Sequence, residues 1–158
     1  MCALFRNKYH IGSKRYPGYD YSKPGKYFIT ICTKDRLHYF GEIENGKMIL
    51  SEIGICLRDE WLKIPEIRPD MNIIIDEYVI MPDHFHAIII IGENQYNNKY
   101  IRNLHRRNAM HGVSTITFVW QPRFYDRIIR SGSELSRIRR YIIDNPGKYQ
   151  NKSKSIVI

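Results

Sequence analysis

The stretch Tyr78–Ile91, reading Y-V-I-M-P-D-H-F-H-A-I-I-I-I, limits what this chain can fold into more than any other. Pro82-Asp83 separates two apolar, β-branched runs, which predicts a hairpin whose turn is set by the fixed φ of proline. Side chains of a strand alternate faces, so His84 and His86 share one face, and Phe85, Ala87, Ile89 and Ile91 share the other. The strand rise separates the two histidine Cα atoms by roughly 6.6 Å. Two imidazoles so placed can reach one metal ion, or they can be packed and hydrogen-bonded within a core. The intervening apolar residues anchor the strand in either case.

The chain has 158 residues, enough for one domain with a sizeable core, and its 43% hydrophobic content excludes a disordered protein. Cys2, Cys32 and Cys56 are scattered, with no C-x-x-C, which argues against a disulfide framework or a zinc knuckle and fits a reducing cytoplasm. No apolar run approaches the roughly 20 residues of a membrane span, and the start carries no secretory pattern. The net charge of +9 points to a polyanionic partner. Ten of the 25 Lys and Arg residues lie between Lys99 and Arg140, against only Asp126 and Glu134. That concentration favours a phosphate-binding surface.

Residues 1–25 form an irregular arm in which Arg6, Lys8, Lys14, Arg15 and Lys23 alternate with Tyr9, Tyr16, Tyr19 and Tyr21. Such an arm can bind phosphates and stack unpaired bases, or drape its tyrosines over the domain. A domain of residues 26–150 follows, with a tail at 151–158. Lys26–Thr33 reads as a strand. Tyr39–Glu44 and Lys47–Leu50 flank Asn45-Gly46, a type I′ hairpin signal. Ser51 is an N-cap for a helix of about 50–63, with Ile53, Cys56, Leu57, Trp61 and Leu62 as its apolar side. Met71–Met81 and His84–Ile91 are further strands. Asn94–Met110 predicts a basic amphipathic helix, and Phe118–Arg130 a short strand and turn. The last element is a helix over Gly132–Asp144, opened by a Ser131/Glu134 capping box and stopped at Asn145-Pro146-Gly147. Leu135, Ile138 and Ile142 form its buried stripe, and Tyr141 and Asn145 lie one turn apart on its flank. The order of elements predicts an α+β domain with an antiparallel sheet.

Five segments together resemble the single-tyrosine HUH transposases, and within them the REP-associated tyrosine transposases. They are Y-D-Y-S at 19–22, G-K-Y-F-I-T-I-C-T at 25–33, V-I-M-P-D-H-F-H-A-I-I-I-I at 79–91, W-Q-P-R-F-Y-D-R-I-I-R at 120–130 and R-R-Y-I-I-D-N-P at 139–146. The resemblance implies a ferredoxin-like antiparallel sheet with helices on one face and a C-terminal catalytic helix. It places the family's metal-binding histidines on His84 and His86, its nucleophile on Tyr141 and its third metal-binding residue on Asn145. Tyr125 is the competing nucleophile. In the family the residue before the first histidine is more often Asn; here it is Asp83. The implied cofactor is Mg²⁺ or Mn²⁺.

The implied reaction is transesterification of single-stranded DNA near hairpin repeats, through a 5′-phosphotyrosine. The general base is open between Asp83, Glu134 and metal-bound water. Contacts to DNA are expected from Arg15, Tyr21, Arg102, Arg106, Arg107, Trp120, Arg123, Arg127, Arg130 and Arg140. Two other functions fit the same residues: a non-catalytic binder of hairpin DNA or RNA, and a metal-dependent phosphodiesterase in which water attacks. Related transposases are often dimers, so a homodimer is compatible with the pattern.

Overall fold

The structure is a computed structural model that describes residues 4–5, 9–10, 16, 18–21, 23–97, 120–121 and 124–154. A short ladder of β1 (Leu4–Phe5) and β2 (Tyr9–His10) precedes β3 (Gly25–Cys32). The hairpin β4 (Gly41–Glu44) and β5 (Lys47–Leu50) follows, then α1 (Glu52–Leu62) and one turn of α2 (Ile64–Ile67). The chain continues through β6 (Ile73–Met81), β7 (His84–Ile91), β8 (Tyr125–Ile129) and α3 (Gly132–Lys154). Among the described residues no helix is long and apolar enough to cross a membrane.

Four strands make one antiparallel sheet in the order β6-β7-β3-β8. Counted along the chain, these strands lie 2-3-1-4, with α1 between the first and second, which is the ferredoxin-like order. β7 lies inside the sheet with both edges paired, and layers on either side cover both its faces. Phe85 and Ala87 enter a core with Ile80, Phe40 and Trp61, built under α1 and the β4–β5 hairpin. On the opposite face Ile88 joins Phe28, Ile129 and the α3 stripe Leu135, Ile138 and Ile142.

The turn chemistry is as expected. β6 ends at Met81 and β7 starts at His84, with Pro82 fully buried between them. Asn45 and Gly46 have φ of 49° and 75°, as a type I′ turn requires. The Ser51 hydroxyl accepts from the Gly54 N–H at 3.1 Å. Ser131 caps α3 the same way, accepting from the Glu134 N–H at 3.1 Å. The Glu134 carboxylate reaches back to the N–H of Arg130 at 3.0 Å, one residue earlier than the standard box.

The helices are not on one face as expected: α1 and α3 pack on opposite faces of the sheet. Two further expectations are corrected. The buried side of α1 is Gly54 and Trp61 with half-buried Leu57, whereas Ile53, Cys56 and Leu62 are exposed. Gly54 decides this: a Cβ there would collide with the Phe40 carbonyl, so the helix backbone rests directly on the hairpin. The second correction concerns the end of α3, which passes through Asn145-Pro146-Gly147 and runs to Lys154. An internal proline removes a helix hydrogen bond and costs about 3 kcal/mol. Packing on both sides of the proline offsets this, with Asn145 buried and Tyr149 laid against His84. Smaller differences are a strand starting at Ile73 rather than Met71, and one starting at Tyr125 with Trp120 making only a bridge to Thr33. Of the expected helix at Asn94–Met110, residues beyond Asn97 lie outside the described residues.

Candidate functional site

The site sits where the inner strands β3 and β7 meet the underside of α3. The ladder pairs Thr30 with His86 and Cys32 with His84, so alternation delivers both histidines and Thr30 to the α3 face. The turn that launches β7 is fixed from outside. The Thr33 N–H donates to the Asp83 carbonyl at 2.9 Å, and the Phe40 N–H donates to the Pro82 carbonyl at 3.1 Å. Thr33 is itself fully buried.

Each imidazole is held by its Nδ1. His84 Nδ1 lies 2.6 Å from Asp83 Oδ1, and His86 Nδ1 lies 2.7 Å from Thr30 Oγ1. Asp83 in turn accepts from Arg36 at 3.2 Å, whose guanidinium comes from the loop after β3. Asp35 and Arg36 there hold φ of 55° and 58°, a left-handed pair rare for residues with a Cβ. Partners of this kind fix the tautomer and the ring orientation of a histidine and leave Nε2 as the coordinating atom. The two rings are 4.6 Å apart at their centroids and nearly perpendicular.

Tyr141 comes down from α3 onto this pair. Its hydroxyl is 3.2 Å from His86 Nε2, and its ring meets those of His86 and Phe28 edge-on at 5.3 and 6.1 Å. The phenol remains 45% exposed, so a ligand can reach it. One turn on, Asn145 is 8% exposed and its Nδ2 has no hydrogen-bond partner. One further turn brings Tyr149, whose ring lies 6.4 Å from that of His84 and whose hydroxyl is 3.3 Å from His38 Nε2. Tyr141 and Tyr149 thus meet the two histidines within one chain.

Electrostatics follow from the geometry. Burial, then the charges of His84 and Arg36, push the His86 imidazole down to about 3. It is therefore neutral at physiological pH, with Nε2 facing the Tyr141 hydroxyl and Nδ1 facing the Thr30 hydroxyl. Burial alone would raise Asp83, but the hydrogen bond and charge of His84, with Arg36, carry its carboxyl below the ordinary range. Burial raises the Tyr149 hydroxyl, and Asp83 adds to the effect.

Whether these residues suit a divalent cation is a matter of donors. Among the described residues no three His, Cys, Asp or Glu side chains converge as a cage. The set here is two Nε2 atoms and an amide. Asn145 buries an unpartnered NH₂ one helical turn from Tyr141, and which amide atom points inward is reversible by rotation, so this side chain can offer an oxygen to a cation. The donors therefore fit a mixed nitrogen–oxygen site completed by outside oxygens. A cation on His86 Nε2 would displace the Tyr141 hydroxyl that now lies 3.2 Å from it.

The other expected residues are dispersed. Tyr125 lies on the outer strand with Thr30 between it and His86. Glu134 is engaged by Arg127 at 2.7 Å and by the Arg130 N–H, at the start of α3. Arg130 stacks over the Tyr16 ring at 5.0 Å, and Tyr21 packs against Tyr19 and Tyr27. Trp120 packs on Phe40 at 5.3 Å. Arg140 is exposed on α3. Arg15, Arg102, Arg106, Arg107 and Arg123 lie outside the described residues. Thr30, Arg36, His38 and Tyr149 were not expected. Tyr149 alone had a local signal, the i, i+8 spacing from Tyr141, which an assumed helix stop concealed.

No family model matches the chain. An uncharacterised protein of Haemophilus influenzae is 34% identical over 163 residues, spanning 87% of this chain and 89% of that protein. A REP-associated tyrosine transposase of Escherichia coli is 25% identical over 131 residues, 82% of this chain and 70% of its own length. In fold the chain is similar to a solved REP-associated tyrosine transposase bound to a REP hairpin, with a TM-score of 0.55 at 21% identity over 85% of this chain and 73% of that one.

Proposed function

We propose that this chain, which is similar in sequence to REP-associated tyrosine transposases and in fold to one bound to a REP hairpin, is a member of that family and cleaves and rejoins single-stranded DNA beside hairpin repeats, with Tyr141 as nucleophile. The observation that carries this is the Tyr141 hydroxyl at 3.2 Å from His86 Nε2, a phenol brought onto the twin imidazoles from 55 residues away.

Tyr141 Oη bonds to phosphorus and the P–O3′ bond breaks. The phenolic proton goes to solvent, and the departing 3′-oxygen takes one up. The products are a 5′-phosphotyrosine and a free 3′-hydroxyl, and attack by a 3′-hydroxyl reverses the step. Bond energy is conserved, so no nucleotide cofactor is consumed. His84, His86 and Asn145 would hold Mg²⁺ or Mn²⁺, which when bound supplies Lewis-acid polarisation of the phosphate. Asp83 keeps His84 in the required tautomer, and Thr30 holds the ring of His86 in place. Asp83 is engaged by His84 and Arg36, and Glu134 by Arg127 and the Arg130 N–H.

The hairpin is the expected partner because the solved relative of this fold is bound to one. Exposed cations such as Arg140 and the basic stretch from Lys99 to Arg140 are suited to its phosphates. The test is a denaturing gel with labelled hairpin DNA carrying a single-stranded flank, in Mn²⁺. The wild type should give a protein–DNA adduct, and Tyr141→Phe neither adduct nor cut. Cleavage by Tyr141→Phe at the wild-type rate would make water the nucleophile and the protein a phosphodiesterase.

A further inference from the structure

The stripe of α3 that carries Tyr141 and Asn145 continues to Tyr149, at i, i+4 and i+8, so the two tyrosines are two helical turns apart, about 12 Å along the axis. They bracket the histidine pair from opposite ends. Tyr141 lies against His86, and Tyr149 lies against His84. At the Tyr149 end the hydroxyl meets His38 Nε2 at 3.3 Å. Arg36 stands at the same end through Asp83, with its side chain 59% exposed.

Displacement at phosphorus is in line, with attacking and leaving oxygens on opposite sides. If Tyr141 enters at the His86 end, the departing oxygen emerges at the His84 end. Hydrogen-bonding groups stand there already. His38 and the Tyr149 hydroxyl can each accept from or donate to an alcohol, and Arg36 offers charge to a neighbouring phosphate. We propose that Tyr149 and His38 form a binding site for the 3′-hydroxyl end of the cut strand, holding it in place for rejoining. The assignment rests on Tyr141 being the nucleophile. The continuation of α3 past Pro146 is what brings Tyr149 to the His84 end.

The test separates this from the function itself. The wild-type gel gives the cut position and hence the 3′-hydroxyl product strand. That strand is synthesised with a terminal 3′-hydroxyl and with a terminal 3′-deoxy sugar. Binding of each in Mn²⁺ is read by fluorescence anisotropy on Tyr141→Phe protein, which cannot react. The 3′-hydroxyl strand should bind roughly threefold to tenfold tighter, the worth of one hydrogen bond. Adding Tyr149→Phe should abolish that preference while leaving the 3′-deoxy strand unaffected, and adding His38→Ala should reduce it. In otherwise wild-type protein, Tyr149→Phe should slow rejoining relative to adduct formation. Because Tyr149→Phe keeps the ring, a thermal melt close to wild type should accompany it. Should it lower the melt, exposed His38 carries the test, and an undiminished preference in His38→Ala overturns the proposal. So does an undiminished preference in a folded Tyr149→Phe protein. A wild type that forms no adduct removes the underlying function, and this site with it.

Discussion

The two faces of the sheet are built from the same strand and put to opposite uses. Toward α1, β7 presents Phe85 and Ala87 to an apolar core that includes Phe40 and Trp61. Toward α3 it presents His84 and His86, buried to 8% and 6% exposure yet each tied to a polar partner. The far half of that face, at Ile88 and Phe28, is apolar. The contrast shows how rigidity and reactivity are divided by alternation. The apolar face fixes the strand, and a fixed strand holds two imidazoles without loop-like freedom.

Substitutions on each face should therefore fail in different ways. Tyr141→Phe has the largest expected effect on the reactive face: adduct formation falls to background, while the thermal midpoint stays near wild type. Phe85→Ala should do the reverse, destabilising by about 3–5 kcal/mol as large core aromatics do, as read by urea unfolding. Losing activity without losing stability at Phe85 would show that the two faces are not separable.

Next come the groups behind the histidines. Thr30→Val and Asp83→Ala should each lower divalent-metal affinity or activity about 10- to 100-fold, with Mn²⁺ binding measured by calorimetry. If neither changes metal affinity, the Nδ1 contacts are packing and not orientation. The smallest effect is expected where α3 is clipped to the sheet edge. Arg139 grips Asp76 with two bonds of 2.8 and 2.6 Å, beside the bulge between Ile75 and Tyr78 in β6. The Arg139 hydrogen bond, against the opposing cost of burial, holds the Asp76 carboxyl below its ordinary value. Because Arg139 is half-exposed, Asp76→Asn should cost no more than about 1 kcal/mol. The sign follows from the lowered native value. The contribution is complete above the unfolded carboxyl range, about pH 4, and is lost as pH falls through the native value. The gap between wild type and Asp76→Asn should thus close in acid, and a gap that widens there would contradict the pairing.

Most of the frame could be read from local pattern. Pro82-Asp83 marked the turn, Asn45-Gly46 the hairpin, Ser51 and Ser131 the helix starts, and Leu135, Ile138 and Ile142 the stripe of α3. The errors have one origin. The side of α1 that is buried and the length of α3 were judged from residue preference, but packing set both. Gly54 was chosen by a carbonyl on the hairpin. Pro146 is tolerated because Asn145 and Tyr149 are held from the sheet side.

Sequence alone determined that His84 and His86 share a strand face and that Tyr141 and Asn145 share a helix flank, because both follow from periods of two and 3.6 residues. Tertiary structure alone decided what those side chains meet. Thr30 lies behind His86 from 56 residues away, Arg36 behind Asp83 from 47, and His38 beside Tyr149 from 111. Periodicity fixes the direction a side chain takes from its own backbone. Which group waits at the other end depends on strand register and on where a helix settles, and those are set by the packing of the whole chain.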